Sequence, residues 1–198
     1  MPLSQERLNE LAKIGGRLDR VRAGRPFYMS VRLMAAAERA LNAREPEAAV
    51  VEAASAIESR GWEALRSLAE EDGQSVPNAK TRFGNVLRDH LLRRLQVAPQ
   101  DPIVEAWIHE GYEVRHRVVH DGDAATLADA LTAIQAAAAL SARLDEALVA
   151  LVRRYPRTAA RKLGQSLLER APGEPGLQEV VEAESAASPI KVGVVQAE

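Results

Sequence analysis

An all-α bundle is the fold this chain predicts, and three observations carry the prediction. Alanine, leucine, arginine and glutamate, which favour helices, dominate the 198 residues. Aromatic residues make up only 4%, and strand-like alternation of apolar and polar positions is nearly absent. Apolar residues instead recur three and four apart, between breaks marked by proline and glycine.

The elements follow in order. Ser4 is placed to cap a first helix, with Leu8, Leu11, Ile14, Leu18 and Val21 on one face. After the break "AGRP", a second helix is expected over 27–42. Pro46 suits the first turn of a third, whose stripe is Val50, Ala54, Ile57, Gly61, Ala64 or Leu65, and Leu68. "EEDGQSVPN" reads as a loop, with Asn78 a cap for a fourth helix running to Val97. "APQDP" is the next break, and Pro102 opens a fifth helix that Gly122 ends. Thr126 caps a sixth, with Leu127, Leu131, Ile134, Ala138, Leu144, Leu148 and Leu151 facing in. Pro156 closes it, and a seventh runs to about Arg170.

From Pro172 the character changes. Pro, Gly, Ser and Ala mix with Glu174, Glu179, Glu182, Glu184 and Glu198, against Lys191 alone. Residues 172–198 are expected to be an acidic, flexible tail, in which "IKVGVV" is the one segment suited to a sheet edge or partner groove. The bundle of six or seven helices therefore occupies residues 1–171. "ERALNAREPEAAVVEAASAIE" has the small-residue spacing of a tetratricopeptide-type hairpin, but the period does not recur as an array requires.

Composition excludes several classes. The chain holds no cysteine, so disulfides, thiolate metal sites and cysteine nucleophiles are ruled out. No apolar run approaches the roughly 20 residues of a membrane span, and "MPLSQERLNELAKIGG" lacks an apolar signal core. The expected location is the cytoplasm, without a membrane partner. There is no glycine-rich phosphate loop and no G-x-S-x-G elbow, and no cofactor is expected. The net charge of −2 and pI of about 6.1 neither demand nor exclude a nucleic-acid partner.

The stretch "YEVRHRVVHDG" carries the chemistry. On an ideal helix Ile103, Val104, Trp107, Ile108, Gly111, Tyr112, Val114, Val118 and Val119 fill one apolar arc, and Arg115 falls near its middle. A buried guanidinium cannot shed its charge, so it needs a carboxylate, carbonyls or an anionic ligand. One solution is a structural lock to Glu58; the other is a phosphate. His109, Glu113, His116 and His120 share a narrower stripe. A metal site is one use for them, given the i, i+4 spacing of His116 and His120, although the general-base glutamate of the helical metalloprotease motif is missing. Arg115 and His120 point about 140° apart on a regular helix and converge only if the helix loosens before Gly122.

"RHRVVH" at 115–120 resembles the Arg-x4-6-His motif of HEPN domains, in which a polar residue often follows the arginine. "EPEAAVVEAASAIES" is similar to the earlier HEPN helix that carries an Ala-x-Glu element. The likeness spans about residues 30–150, with His116 in place of the commoner asparagine and a single glycine after Asp121. It implies a HEPN-like bundle and a metal-independent endoribonuclease, working as a homodimer with a composite site. It also implies an RNA substrate and a toxin or defence role held in check by an antitoxin or regulatory protein. It makes His120 the general acid or base, Arg115 the phosphate clamp, His116 an orienting residue and Glu58 an accessory acid. A non-catalytic HEPN-like binding or dimerisation module is the alternative. Basic residues that suit an RNA backbone are Arg88, Arg93 and Arg94, near Lys80, and Arg153 and Arg154, at the head of a basic run to Arg170. For each group a solvated helix face is the competing reading. Trp62, Phe83 and Trp107 are expected in the core rather than under stacked bases.

Overall fold

A computed structural model describes residues 28–78 and 81–187. The predicted first helix, Lys80 and the "IKVGVV" segment lie outside the described residues. Among those residues every regular element is helical, and no helix is long and apolar enough to cross a membrane.

Helix α1 (Tyr28–Asn42) and helix α2 (Pro46–Glu71) form an antiparallel pair. A tight turn joins them, with Arg44 at a φ of 60°, and Pro46 opens α2 where its missing N–H costs nothing. The predicted stripe of α2 is buried throughout, from Val50 through Ala54, Ile57, Gly61, Ala64 and Leu65 to Leu68. Helix α3 begins at Phe83–Val86 and continues with wider, π-type bonding through Leu87–Leu92. Its start is later than expected, and the Asn78 carbonyl accepts from the Thr81 N–H at 2.9 Å in the preceding turn. Helix α4 runs from Pro102 to Asp121 in alternating α and π segments. Asp101 caps it, accepting from the Ile103 N–H at 3.0 Å while its other oxygen holds Arg143 Nε at 2.9 Å.

Helix α5 (Leu127–Ala150) opens on a capping box. Thr126 Oγ1 accepts from the Asp129 N–H at 3.1 Å, and Asp129 accepts from the Thr126 N–H at 2.8 Å. The predicted inward face of α5 is corrected in part. Ile134, Leu144 and Leu148 are buried, but Leu127 and Leu131 are 40% and 46% exposed, and Ala138 also faces solvent. The packed face uses Ala130, Ala133, Ala137 and Leu140 instead. Alanine loses no side-chain entropy and lets α5 lie close against α2, which is also lined with alanine.

The predicted seventh helix is split. Helix α6 (Pro156–Leu163) stops at Gly164, whose φ of 55° a side chain tolerates poorly, and a short α7 (Ser166–Arg170) follows. The expectation of a flexible tail from Pro172 is corrected as far as Ala187. Helix α8 (Leu177–Ala187) docks on α6 through buried Leu177 and Val181. Tail residues 188–198 lie outside the described residues.

One core joins the elements, with Ile57, Leu65 and Leu68 of α2, Leu91 and Leu92 of α3, Trp107 of α4 and Leu140 of α5 fully buried. Burying each leucine contributes about 2 kcal/mol. Phe83 packs edge-on to Trp107 at 5.9 Å and near Trp62 at 6.5 Å, so Phe83 and Trp107 are core, as expected, and Trp62 is half-buried against them. Gly61 is what admits Phe83: a Cβ there would meet the ring at 2.5 Å.

Candidate functional site

Helix α4 places the motif, and its irregular winding decides where the side chains go. Bonding widens from i→i+4 to i→i+5 over Ile108–Tyr112 and again over Arg117–Asp121. A π turn holds about one residue more than an α turn, so positions five apart are drawn toward one face. The second π segment therefore reduces the angular separation of Arg115 and His120, the loosening that the sequence required. The Gly122 N–H closes it on the Arg117 carbonyl, with Gly122 in the left-handed region at a φ of 74°. The same winding corrects the apolar arc. Val104, Trp107, Ile108, Gly111 and Val114 are buried, but Val119 is turned out and 46% exposed.

The loop after the motif is tied down at the start of α2, where Glu47 Oε1 accepts from the Ala125 N–H at 3.2 Å. Further along α2, Glu58 is half-buried. Burial pushes its carboxyl above the usual range, and the positive charge of Arg115 draws it partly back. Arg115 is itself half-buried, and its Nε is buried with no hydrogen-bond partner. The two candidates are thus electrostatically coupled across the α2–α4 contact, while the guanidinium keeps a donor unspent. A buried donor in that state costs about 1–3 kcal/mol, and an arriving anionic oxygen would recover it.

His116 and His120 are both exposed, with ring centroids 4.6 Å apart. His109 is separate from them: its Nδ1 lies 3.0 Å from Glu113 Oε2. The predicted four-residue stripe is therefore two pairs, with His109 inside the first π segment and His120 inside the second. Among the described residues no three histidine, aspartate or glutamate side chains converge as metal ligands.

The five backbone candidates divide. Arg88 and Arg93 project from α3 into solvent. Arg94 is half-buried and bonded to Asp72 Oδ2 at 3.3 Å and Gln74 Oε1 at 2.7 Å. Arg153 donates to Glu174 at 2.8 Å, and Arg154 lies 3.6 Å from Asp72. The last three are engaged within the fold, a pairing that charge counting along the chain cannot reveal.

A second charged cluster escaped the sequence reading. Arg60 of α2 is 6% exposed and donates to Asp145 and to the Ser141 carbonyl at 3.3 Å. Lys162 of α6 lines the same narrow cleft with Leu68, Leu95 and Leu144. Burial, and then the neighbouring Arg60, lower the Lys162 amine to about 8. The signal was available: Arg60 lies between Ile57 and Ala64 on the α2 stripe, the position that drew attention to Arg115 on α4.

No protein-family model, curated protein or solved structure matches the chain.

Proposed function

We propose that the chain is a HEPN-type, metal-independent endoribonuclease that acts as a homodimer in the cytoplasm, with a toxin or defence role restrained by a partner protein. Arg115 binds the non-bridging oxygens of the scissile phosphate and offsets the charge that builds up in the transition state. His120 takes the proton from the ribose 2'-hydroxyl. A second imidazole returns one to the leaving 5'-oxygen, giving a 2',3'-cyclic phosphate and a 5'-hydroxyl. His116 orients the phosphate, and Glu58 holds Arg115 in place electrostatically. RNA is required because DNA lacks the 2'-hydroxyl nucleophile.

The observation that carries this reading is the buried Arg115 Nε without a hydrogen-bond partner, one residue before His116 and five before His120, whose exposed rings lie 4.6 Å apart. Exposed Val119, Leu127 and Leu131 on and just after the motif supply the apolar surface that a second copy would cover. The same surface also favours the non-catalytic reading, in which the module only dimerises or binds.

The test is cleavage of mixed cellular RNA in EDTA. Wild type is expected to cut. His120→Ala is expected to lose about 10²–10⁴-fold and Arg115→Ala about 10²–10³-fold, with helical circular dichroism retained. Equal cleavage by wild type and both variants overturns the assignment. Absence of cleavage by wild type, together with a dimer that Leu131→Asp dissociates, selects the binding module.

A further inference from the structure

The acidic helix α8 lies on α6, which carries Arg157, Arg161 and Lys162 and no acid. Glu184 accepts from Arg157 Nε at 2.9 Å and from Arg161 Nε at 2.7 Å. Glu174, just before α8, accepts from Arg153 Nε at 2.8 Å. Leu177 and Val181 are buried against α6 and stand with Glu184 at i, i+4, i+7, so one face of α8 supplies both the apolar anchor and the acid. Gly173 and Gly176, at φ of 78° and 74°, let the chain double back between α7 and α8.

We infer that the arginine ridge Arg153–Arg157–Arg161 is a binding site for an RNA phosphate backbone, and that α8 occupies it in cis as a displaceable acidic cover. The ridge is a row of guanidiniums already selecting anionic oxygens at hydrogen-bond distance. Its hold on α8 is built to yield. Arg153 and Arg157 keep 83% and 53% of their side chains exposed while paired, and ion pairs in that position are weak and screened by salt. Arg161 is 21% exposed and is bonded to Glu70 of α2 as well, at 2.7 Å, and Leu177, Val181 and the half-buried Val180 provide the rest. A polyanion competes for the same donors and also gains the release of its own counterions. The choice of RNA as the polyanion rests on the cleavage reading; the site itself is separate from Arg115 and His120.

The experiment uses full-length protein carrying His120→Ala, so that RNA is bound but not cut, and a labelled mixed-sequence single-stranded RNA. Glu174→Gln with Glu184→Gln is expected to raise affinity about tenfold and to steepen the salt dependence by a slope of about 1.4 for the two arginines it frees, because Glu70 still holds Arg161 at 2.7 Å. Leu177→Ser with Val181→Ser, which loosens the apolar anchor without changing charge, is expected to act the same way. Hydrogen exchange over 177–187 should rise in both. Adding Arg153→Ala, Arg157→Ala and Arg161→Ala should erase the gain. Faster exchange in α8 without tighter binding overturns the proposal, as does a gain that survives removal of the arginines. If α8 exchanges no faster in either double variant, it is no displaceable cover and the proposal also falls. Tighter binding together with no RNA cleavage by the unmutated chain leaves this site standing and removes the nuclease reading.

Discussion

Arg60 and Arg115 pose the same physical problem on neighbouring helices, and the fold answers it in opposite ways. Each sits among apolar positions on an amphipathic helix. Arg60 is closed: Asp145 and the Ser141 carbonyl receive its Nη2 at the α2–α5 contact. Arg115 is open: its Nε has no hydrogen-bond partner, and Glu58 acts on it only through charge. A buried arginine with its donors engaged locks two helices together. One that keeps a donor unspent, as Arg115 does, ties no second helix down through that donor. The difference separates scaffold from candidate site more sharply than burial does, because both side chains are largely withdrawn from water.

The comparison breaks most visibly at Arg60. Arg60→Ala is expected to destabilise the fold by about 3 kcal/mol, since it strands Asp145; this is the low end for a broken buried pair because Lys162 remains nearby to face the carboxylate. Chemical denaturation measures it, and a cost under about 1 kcal/mol would mean the pair does not lock the bundle. The effect next in size is at Lys162. Its folded-state value, about 8, is depressed below the ordinary lysine value of 10.5. The unfolded chain therefore binds more protons between those values, and stability from this group rises with pH across that window. Lys162→Met should consequently stabilise the protein at pH 7 by about 2 kcal/mol, and the advantage over wild type should close as pH approaches 10.5. Thermal melts at pH 7 and pH 10 check the sign. The smallest effect is expected at Arg115. Arg115→Met, similar in length but uncharged, should shift stability by less than about 1 kcal/mol while abolishing RNA cleavage. Melting of that variant would make Arg115 a second lock and erase the contrast with Arg60.

The helices were largely legible because their signals are local. Pro46 and Pro102 open helices, Thr126 caps one and Gly122 ends one, all as their residue types predict. The α2 stripe was legible for the same reason. Three expectations failed where local rules compete with packing. Leu127 and Leu131 fit an inward period, yet the core took the alanine face of α5, where Ala130, Ala133 and Ala137 are buried and the small side chain allows close approach to α2. Val119 fit the α4 arc, but the π turn rotated it outward. Residues 177–187 looked like tail because Glu179, Glu182 and Glu184 outweigh their apolar positions in composition, whereas in the fold Glu184 is neutralised by α6 and Leu177 and Val181 are enough to seat the helix.

By itself the chain determined an all-helical bundle, the positions of its main breaks and the arginine and histidines that merit attention, because propensity, capping and 3.6-residue periodicity act within a few residues. Only the tertiary structure decided which arginine is satisfied and which is not. The partners that settle it lie far away in sequence, 85 positions from Arg60 to Asp145 and 27 from Arg157 to Glu184. Which charges meet across such distances is fixed by how helices pack, and packing is a property of the whole core.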